Sequence, residues 1–256
     1  MEWVAYLDHI RTDGELLARA GDAGLDADAP CCPDWTVGDV VAHTGAVHRH
    51  KTAIVAGRLS ENPESEPAPA HDVVDWYRDG LNRLLESLAD ADPAEPVYSW
   101  VAADQTVGFW YQRMAHETLI HRVDAEQGHG RVSPIDPELA ADGIDEVLTK
   151  FVGGYPEWGT FTRDDGTVRI ACNDRPRRWD TSFGIFNGTS PSTGTEYEDL
   201  EALEVIEPVD QPDAVIEGTA ADLDLWLWGR GPLEQLQISG DEQLAHRLRR
   251  LCAENM

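Results

Sequence analysis

FWYQRMAHETLIHRVDAE, residues 109–126, decides how the chain is read. It sits in a segment predicted to be helical from about Thr106 to Gln127 and closed by Gly128 and Gly130. Glu117 and His121 stand at i and i+4, so they share one face, one turn apart. A carboxylate and an imidazole at that spacing can chelate one divalent ion, which is why such pairs recur inside metal-binding bundles. The plainer alternative is a Glu–His hydrogen bond on a solvated face. Arg113 lies one turn before Glu117 on the same side, where it either supports the site from behind the ligating groups or pairs with Glu117. Asp124, three residues after His121, is placed to orient that imidazole. His116 points elsewhere and is expected to be structural.

Working outward, three more helices precede this one. Residues 2–20 set Trp3, Tyr6, Ile10, Leu16 and Leu17 near helical spacing, with Gly21 and Gly24 as stops. Thr36-Val-Gly-Asp39 matches a capping box with Asp in place of Glu and opens a second helix lasting to about Ala56. LSENPESEPAPA, residues 59–70, holds three prolines and no base, so it is predicted to be a loop. A third helix, from about His71 to Leu88, is broken by Asp90-Ala-Asp-Pro. Four helices with one moderately long crossover predict a bundle.

A fifth helix, Pro137 to about Val152, ends at Gly153-Gly154 and is assigned to the bundle side. Beyond it Thr160–Thr162, Thr167–Cys172 and Trp179–Phe186 are short alternating runs between Asp-Gly, Asn-Asp and Asn-Gly turn signals. Val215-Ile216, a helix over 220–228, Leu236–Ile238 and a helix over 241–253 complete a small α+β tail. The expected organisation is α+β in two domains, a helical bundle over residues 1–152 and an α+β unit over residues 153–256.

Composition narrows the function. Forty-eight acidic against 20 basic residues give a formal net charge of −28. That argues against a nucleic-acid surface, which needs a basic patch, and against docking on an anionic membrane. No apolar run is long enough to span a bilayer, and the N-terminus lacks the apolar core of a signal peptide, so a cytoplasmic chain is expected. The four cysteines form no CxxC pair, and Cys31 and Cys32 are read as loop packing. Lys51 and Lys150 are the two lysines, so arginine is the base expected to hold any bound anion.

A third metal ligand is available from the second helix. His43 lies among Val40, Val41 and Ala42 and is expected to point inward; a buried histidine satisfied by the core is the alternative. His48 is about 140° around the helix from His43, and His50 is two turns, roughly 10 Å, away, so neither shares an ion with it easily. If the second and fourth helices face each other, His43, Glu117 and His121 form a two-histidine, one-carboxylate site. Three protein ligands leave a position open, the arrangement of a catalytic metal.

Taken together, CPDWTVGDVVAHTGAVHRH (32–50), FWYQRMAHETLIHRVDAE (109–126) and DLDLWLWGRGPLEQLQISGDEQLA (222–245) resemble the mycothiol-dependent maleylpyruvate isomerase family. The resemblance implies a DinB-like metal-binding four-helix domain followed by a small sterol-carrier-like α+β domain. It also implies a divalent metal, zinc above others, held by His43, Glu117 and His121, with mycothiol as thiol co-substrate. The chemistry so implied is attack of a metal-bound thiolate on an electrophilic substrate, in a thiol S-transferase or a cis-trans isomerase. Arg230 matches a family arginine implied to act in catalysis and to hold a substrate or co-substrate anion, and Arg113 is the second cofactor-binding candidate.

One departure stands out. The resemblance implies a substrate-binding arginine in the segment before the third helix, and residues 59–71 contain no Arg or Lys. The expected partners are a small electrophile and a low-molecular-weight thiol, with no nucleic acid or membrane, in a monomer or weak dimer. The competing readings are a metal- or ligand-binding protein that keeps the bundle without turnover, and a regulatory partner protein using its acidic surface.

Overall fold

The structure, a computed structural model, describes residues 1–153, 155–191 and 193–255. It contains four long helices, α1 (Trp3–Ala23), α2 (Val37–Gly57), α3 (Val73–Asp90) and α4 (Val107–Gly128). These are followed by α5 (Pro137–Glu146), whose last turn widens into a π-helical segment over Val147–Phe151. Then come β1 (Gly159–Cys172), β2 (Arg178–Thr189), β3 (Glu196–Ile206), β4 (Ala214–Gly218), α6 (Ala220–Leu227), β5 (Gln237–Gly240) and α7 (Glu242–Asn255). No helix among the described residues is long and apolar enough to cross a membrane.

The chain divides into two compact units, residues 1–134 and 135–256. In the first, α1 packs on α3 and α4, and α2 packs on the same two helices. The start of α2 is fixed by the capping box expected from the sequence. Asp39 N–H donates to Thr36 Oγ1 at 3.2 Å while Thr36 N–H donates to Asp39 Oδ2 at 2.9 Å, satisfying two donors that the first turn would otherwise leave bare. The helices α2 and α3 approach closely at Gly45, where an added Cβ would lie 2.5 Å from the Trp76 ring.

A buried ionic knot ties α4 to α1. Arg122 has no exposure; it donates to Asp13 on α1 at 3.2 Å, to Glu126 at 2.8 Å and to the Ser133 carbonyl at 2.8 Å. Glu126 in turn accepts from Ser133 N–H and Oγ, pinning the segment that leaves the bundle. A guanidinium suits this place because its fixed fork supplies several donors to oxygens that burial has stripped of water.

In the second unit, one sheet has the strand order β3-β2-β1-β4-β5. The β1–β4 pairing is parallel and the other three are antiparallel. Val168, Ile170, Phe183, Leu203 and Ile216 of the sheet meet Ile144 of α5, Trp226 of α6 and Leu248 of α7 in one core. Helix α5 therefore packs with the sheet in this unit, although its sequence position had placed it with the bundle and the boundary at 153. Its apolar stripe, Ala140, Ala141, Ile144, Val147 and Leu148, is fully buried against that core.

Two further differences have physical causes. The Asp-Gly signal at 165–166 does not turn the chain; it sits at a register shift between Arg163 and Thr167 inside the single long strand β1. Strand β3 was not expected at all, because Glu196-Tyr-Glu-Asp-Leu-Glu has its first five residues exposed and shows no apolar alternation. It is an edge strand, where acidic side chains discourage pairing with another chain.

The Arg122 knot should dominate bundle stability. Replacing Arg122 by Met leaves two carboxylates buried without their cation, and an urea melt should show a loss of roughly 3–5 kcal/mol. A change below about 1 kcal/mol would mean that the knot adds little beyond packing.

Candidate metal centre

Helices α2 and α4 bring three side chains to one point. The His43 Nε2 lies 3.4 Å from Glu117 Oε1, and the His121 Nε2 lies 3.3 Å from the same oxygen. The three ligating atoms all fall within 4.8 Å of one another. A tetrahedral zinc with bonds of about 2.0–2.1 Å has ligand-to-ligand edges of about 3.4 Å, so two of the three edges already match. The two imidazoles meet nearly edge to face, with ring centres 4.8 Å apart.

Glu117 and His121 are each held by a further group. The other oxygen of Glu117 accepts from the Arg113 guanidinium at 2.8 Å, and Arg113 is itself buried. The Asp124 carboxylate, with no side-chain exposure, accepts a hydrogen bond from His121 Nδ1–H at 3.0 Å. That bond fixes the tautomer: with Nδ1 protonated, the Nε2 lone pair of a neutral His121 faces Glu117 and is available to a metal. Trp35, in the loop before α2, stacks on His121 at 6.5 Å and 20° and lies 5.1 Å from the His43 ring. The donor set of two nitrogens and one oxygen, with a carboxylate behind one imidazole, suits a divalent ion such as zinc.

Electrostatics show how much charge this cluster holds without an ion. Burial alone would raise the Glu117 carboxyl, but the charge of His121, hydrogen bonds from both histidines and the Arg113 guanidinium hold it well below its usual range. Burial likewise opposes a charge on His121, yet the Glu117 carboxylate and the Asp124 bond outweigh it and raise the imidazole to about 9. A metal-free His121 is therefore protonated at neutral pH and would have to give up a proton to an incoming ion.

The other histidines of α2 go elsewhere. His48 is buried, and its Nε2 meets Thr118 Oγ1 at 2.9 Å. Since Thr118 donates its own proton to the Met114 carbonyl, His48 must be the donor. Burial pushes its pKa down to about 3, so it is a neutral packing residue. His50 lies against the 59–71 loop, and His116 is buried with its ring edge-on to Tyr6. The Cys31 thiol donates to the Gln127 side-chain carbonyl at 3.0 Å. Arg230, in the second unit, follows Gly229 in the left-handed conformation, and its Nη1 donates to the Trp228 carbonyl at 2.6 Å. The sequence reading passed over Trp35, although it closes the quoted Cys-Pro-Asp-Trp turn, and over the pairing of Lys51 with His50.

In metal-free protein the His121 imidazole should titrate near 9 in a nitrogen-detected NMR experiment and fall toward the ordinary histidine value in Glu117→Gln. Because the folded pKa is raised, the charged imidazole adds stability below its unfolded value. That contribution disappears as pH rises through about 9.

Known proteins share this arrangement of domains. The family described as "Mycothiol maleylpyruvate isomerase N-terminal domain" matches residues 9–126, and the "MDMPI C-terminal domain" matches residues 138–247. No curated protein matches the chain. Among solved structures, a mycothiol-dependent maleylpyruvate isomerase is similar at 12% identity, with 93% of each chain covered and a TM-score of 0.57. Its histidine-to-alanine mutant is similar at 13% identity, with the same coverage and TM-score. At such identities the structures testify to fold alone, while the two domain matches account for most of the sequence. This chain belongs to the mycothiol-dependent maleylpyruvate isomerase family.

Proposed function

We propose that the protein is a metal-dependent enzyme that uses mycothiol to attack an electrophilic substrate, as a thiol S-transferase or a cis-trans isomerase. The observation that carries this reading is the convergence of His43 Nε2, His121 Nε2 and Glu117 Oε1 on one point. Three protein ligands leave coordination open to an incoming group. A divalent ion in that place supplies the charge that favours the thiolate form of a thiol at neutral pH.

The chain's own residues do the remaining work. Asp124 keeps the His121 proton on Nδ1 and so keeps Nε2 aimed at the ligand position. Arg113 offsets the Glu117 charge and fixes the carboxylate by its other oxygen, so it is a positioning residue. Trp35 sets its ring against both imidazoles. Arg230 is assigned to a substrate or co-substrate anion, on the strength of the family motif in which it stands. Addition of the thiol sulfur to an activated carbon then has two outcomes. In a transferase the adduct leaves, and in an isomerase the bond rotates before the sulfur is expelled. No nucleophile from the protein itself is needed.

Elemental analysis of untagged protein should find about one divalent ion per chain, lost in His43→Ala and in His121→Ala. With mycothiol present, the metal-loaded wild type should consume an electrophile, and the two variants should lose this activity by at least a hundredfold. Metal uptake without any thiol-dependent turnover would instead identify a binding protein that keeps the bundle.

A further inference from the structure

Beside His43 the first unit carries a cavity of about 430 Å³, walled by α2 and by the loop before α3, with His43, His50, Lys51, Asn62 and Ser65 in its lining. Its volume is that of a small-molecule site. The loop wall contributes hydroxyl and amide groups but no base, and no arginine lines the cavity among the described residues. The positive charge comes from the helix wall, at Lys51.

Lys51 is held in an unusual way for a base in so acidic a chain. Among the described residues no carboxylate lies within ion-pair distance of its ammonium. Instead the Nζ lies 2.9 Å from His50 Nδ1 and 4.7 Å from the centre of the buried Trp110 ring. The partner of His50 settles the direction of the first contact. His50 Nε2 lies 2.9 Å from the Pro63 carbonyl, which can only accept, so Nε2 carries the proton and Nδ1 is left as an acceptor. The loop carbonyl thus fixes the His50 tautomer, and His50 in turn fixes the ammonium. One N–H of Lys51 goes to His50 and the charge rests on the Trp110 face, which leaves donors for a ligand. The Glu117 carboxylate favours this half-buried ammonium only from beyond ion-pair distance, and Arg113 opposes it, so an anion in the cavity would lower the cost of its burial. Burial lowers Lys51 to about 8, which still leaves it protonated at neutral pH.

We propose that Lys51 is the anion-binding residue of this cavity and that the group it receives is a carboxylate of the electrophile, seated against Asn62 and Ser65 beside His43. The proposal rests on the reading of the His43, Glu117 and His121 cluster as the reacting centre. It makes Lys51 a specificity-determining residue, built into the second helix eight positions after His43. The arginine expected for this task from the composition is replaced here by a lysine held by an imidazole.

The two lysines make a direct test possible. Full-length protein carrying ¹³Cε-lysine, purified with its metal and also stripped of it, is titrated with benzoate and with benzamide at constant ionic strength. Lys51→Met assigns the two resonances. The Lys51 signal should move saturably with benzoate in both preparations and stay in place with benzamide, while Lys150 does not move. Calorimetry should show benzoate binding at least tenfold weaker in Lys51→Met. During turnover, benzoate should raise the apparent KM for a carboxylate-bearing electrophile and leave that for the thiol unchanged. A Lys51 signal that ignores benzoate, or that moves equally with benzamide, overturns the proposal. So does competition with the thiol alone. If the protein takes up no metal and consumes no thiol while Lys51 still responds to benzoate, the proposed enzymatic function fails and the anion subsite stands.

Discussion

The candidate site depends on the neutralisation of one half-buried carboxylate. Glu117 sits on the inward face of α4, where desolvation alone would favour its protonated form. It stays ionised because each oxygen has an assigned partner. Oε2 takes the Arg113 guanidinium, and Oε1 is left for two imidazoles. Without Arg113 the carboxylate would be a poorer anion in an apolar helix interface. Without Asp124 the nearer imidazole would be free to turn its protonated nitrogen toward Glu117. The geometry of three converging donors is thus the visible part of a five-residue arrangement, four members of which lie on a single helix.

The same economy of charge runs through the chain. A protein with 48 acids and 20 bases has few cations to place, and several of its arginines are committed to internal pairs. Arg122 joins α1 and α4 through Asp13 and Glu126, and Arg169 makes a bidentate contact with Asp180 across the β1–β2 pairing. These pairs satisfy buried polar groups, whereas the acid surplus lies mostly at exposed positions, including the outer strand β3. Against that background, a lysine held by a histidine and a tryptophan and facing a cavity is an exception that asks for a ligand.

How much of this was legible in the sequence varied with the kind of signal. The four long helices were readable within about three residues at each end, since apolar spacing and the Thr36–Asp39 box are local features that solvent exposure enforces. The pairing of Glu117 with His121 was readable because helical spacing alone places them together. His43 was readable as a candidate from its apolar neighbours, the angle around the helix set His48 apart from it, and the structure places His48 against Thr118, away from the cluster. Strand β3 escaped notice because an edge strand needs no apolar alternation on its solvent side. Turn dipeptides misled at 165–166, since a glycine that permits a turn also permits a bulge.

What the sequence determined by itself was therefore local: helix positions, the face shared by Glu117, His121 and Asp124, and the surplus of acid. The order of a helical unit and then an α+β unit was also read from the pattern, and the resemblance to a family agreed with it. That α2 faces α4 so that His43 meets Glu117 and His121, that α5 packs on the sheet, and that Lys51 is held by His50 were decided by the tertiary structure alone. The physical reason is that each of these depends on contacts between segments far apart in the chain. A helical period states which residues face the same way, but only packing determines what they face.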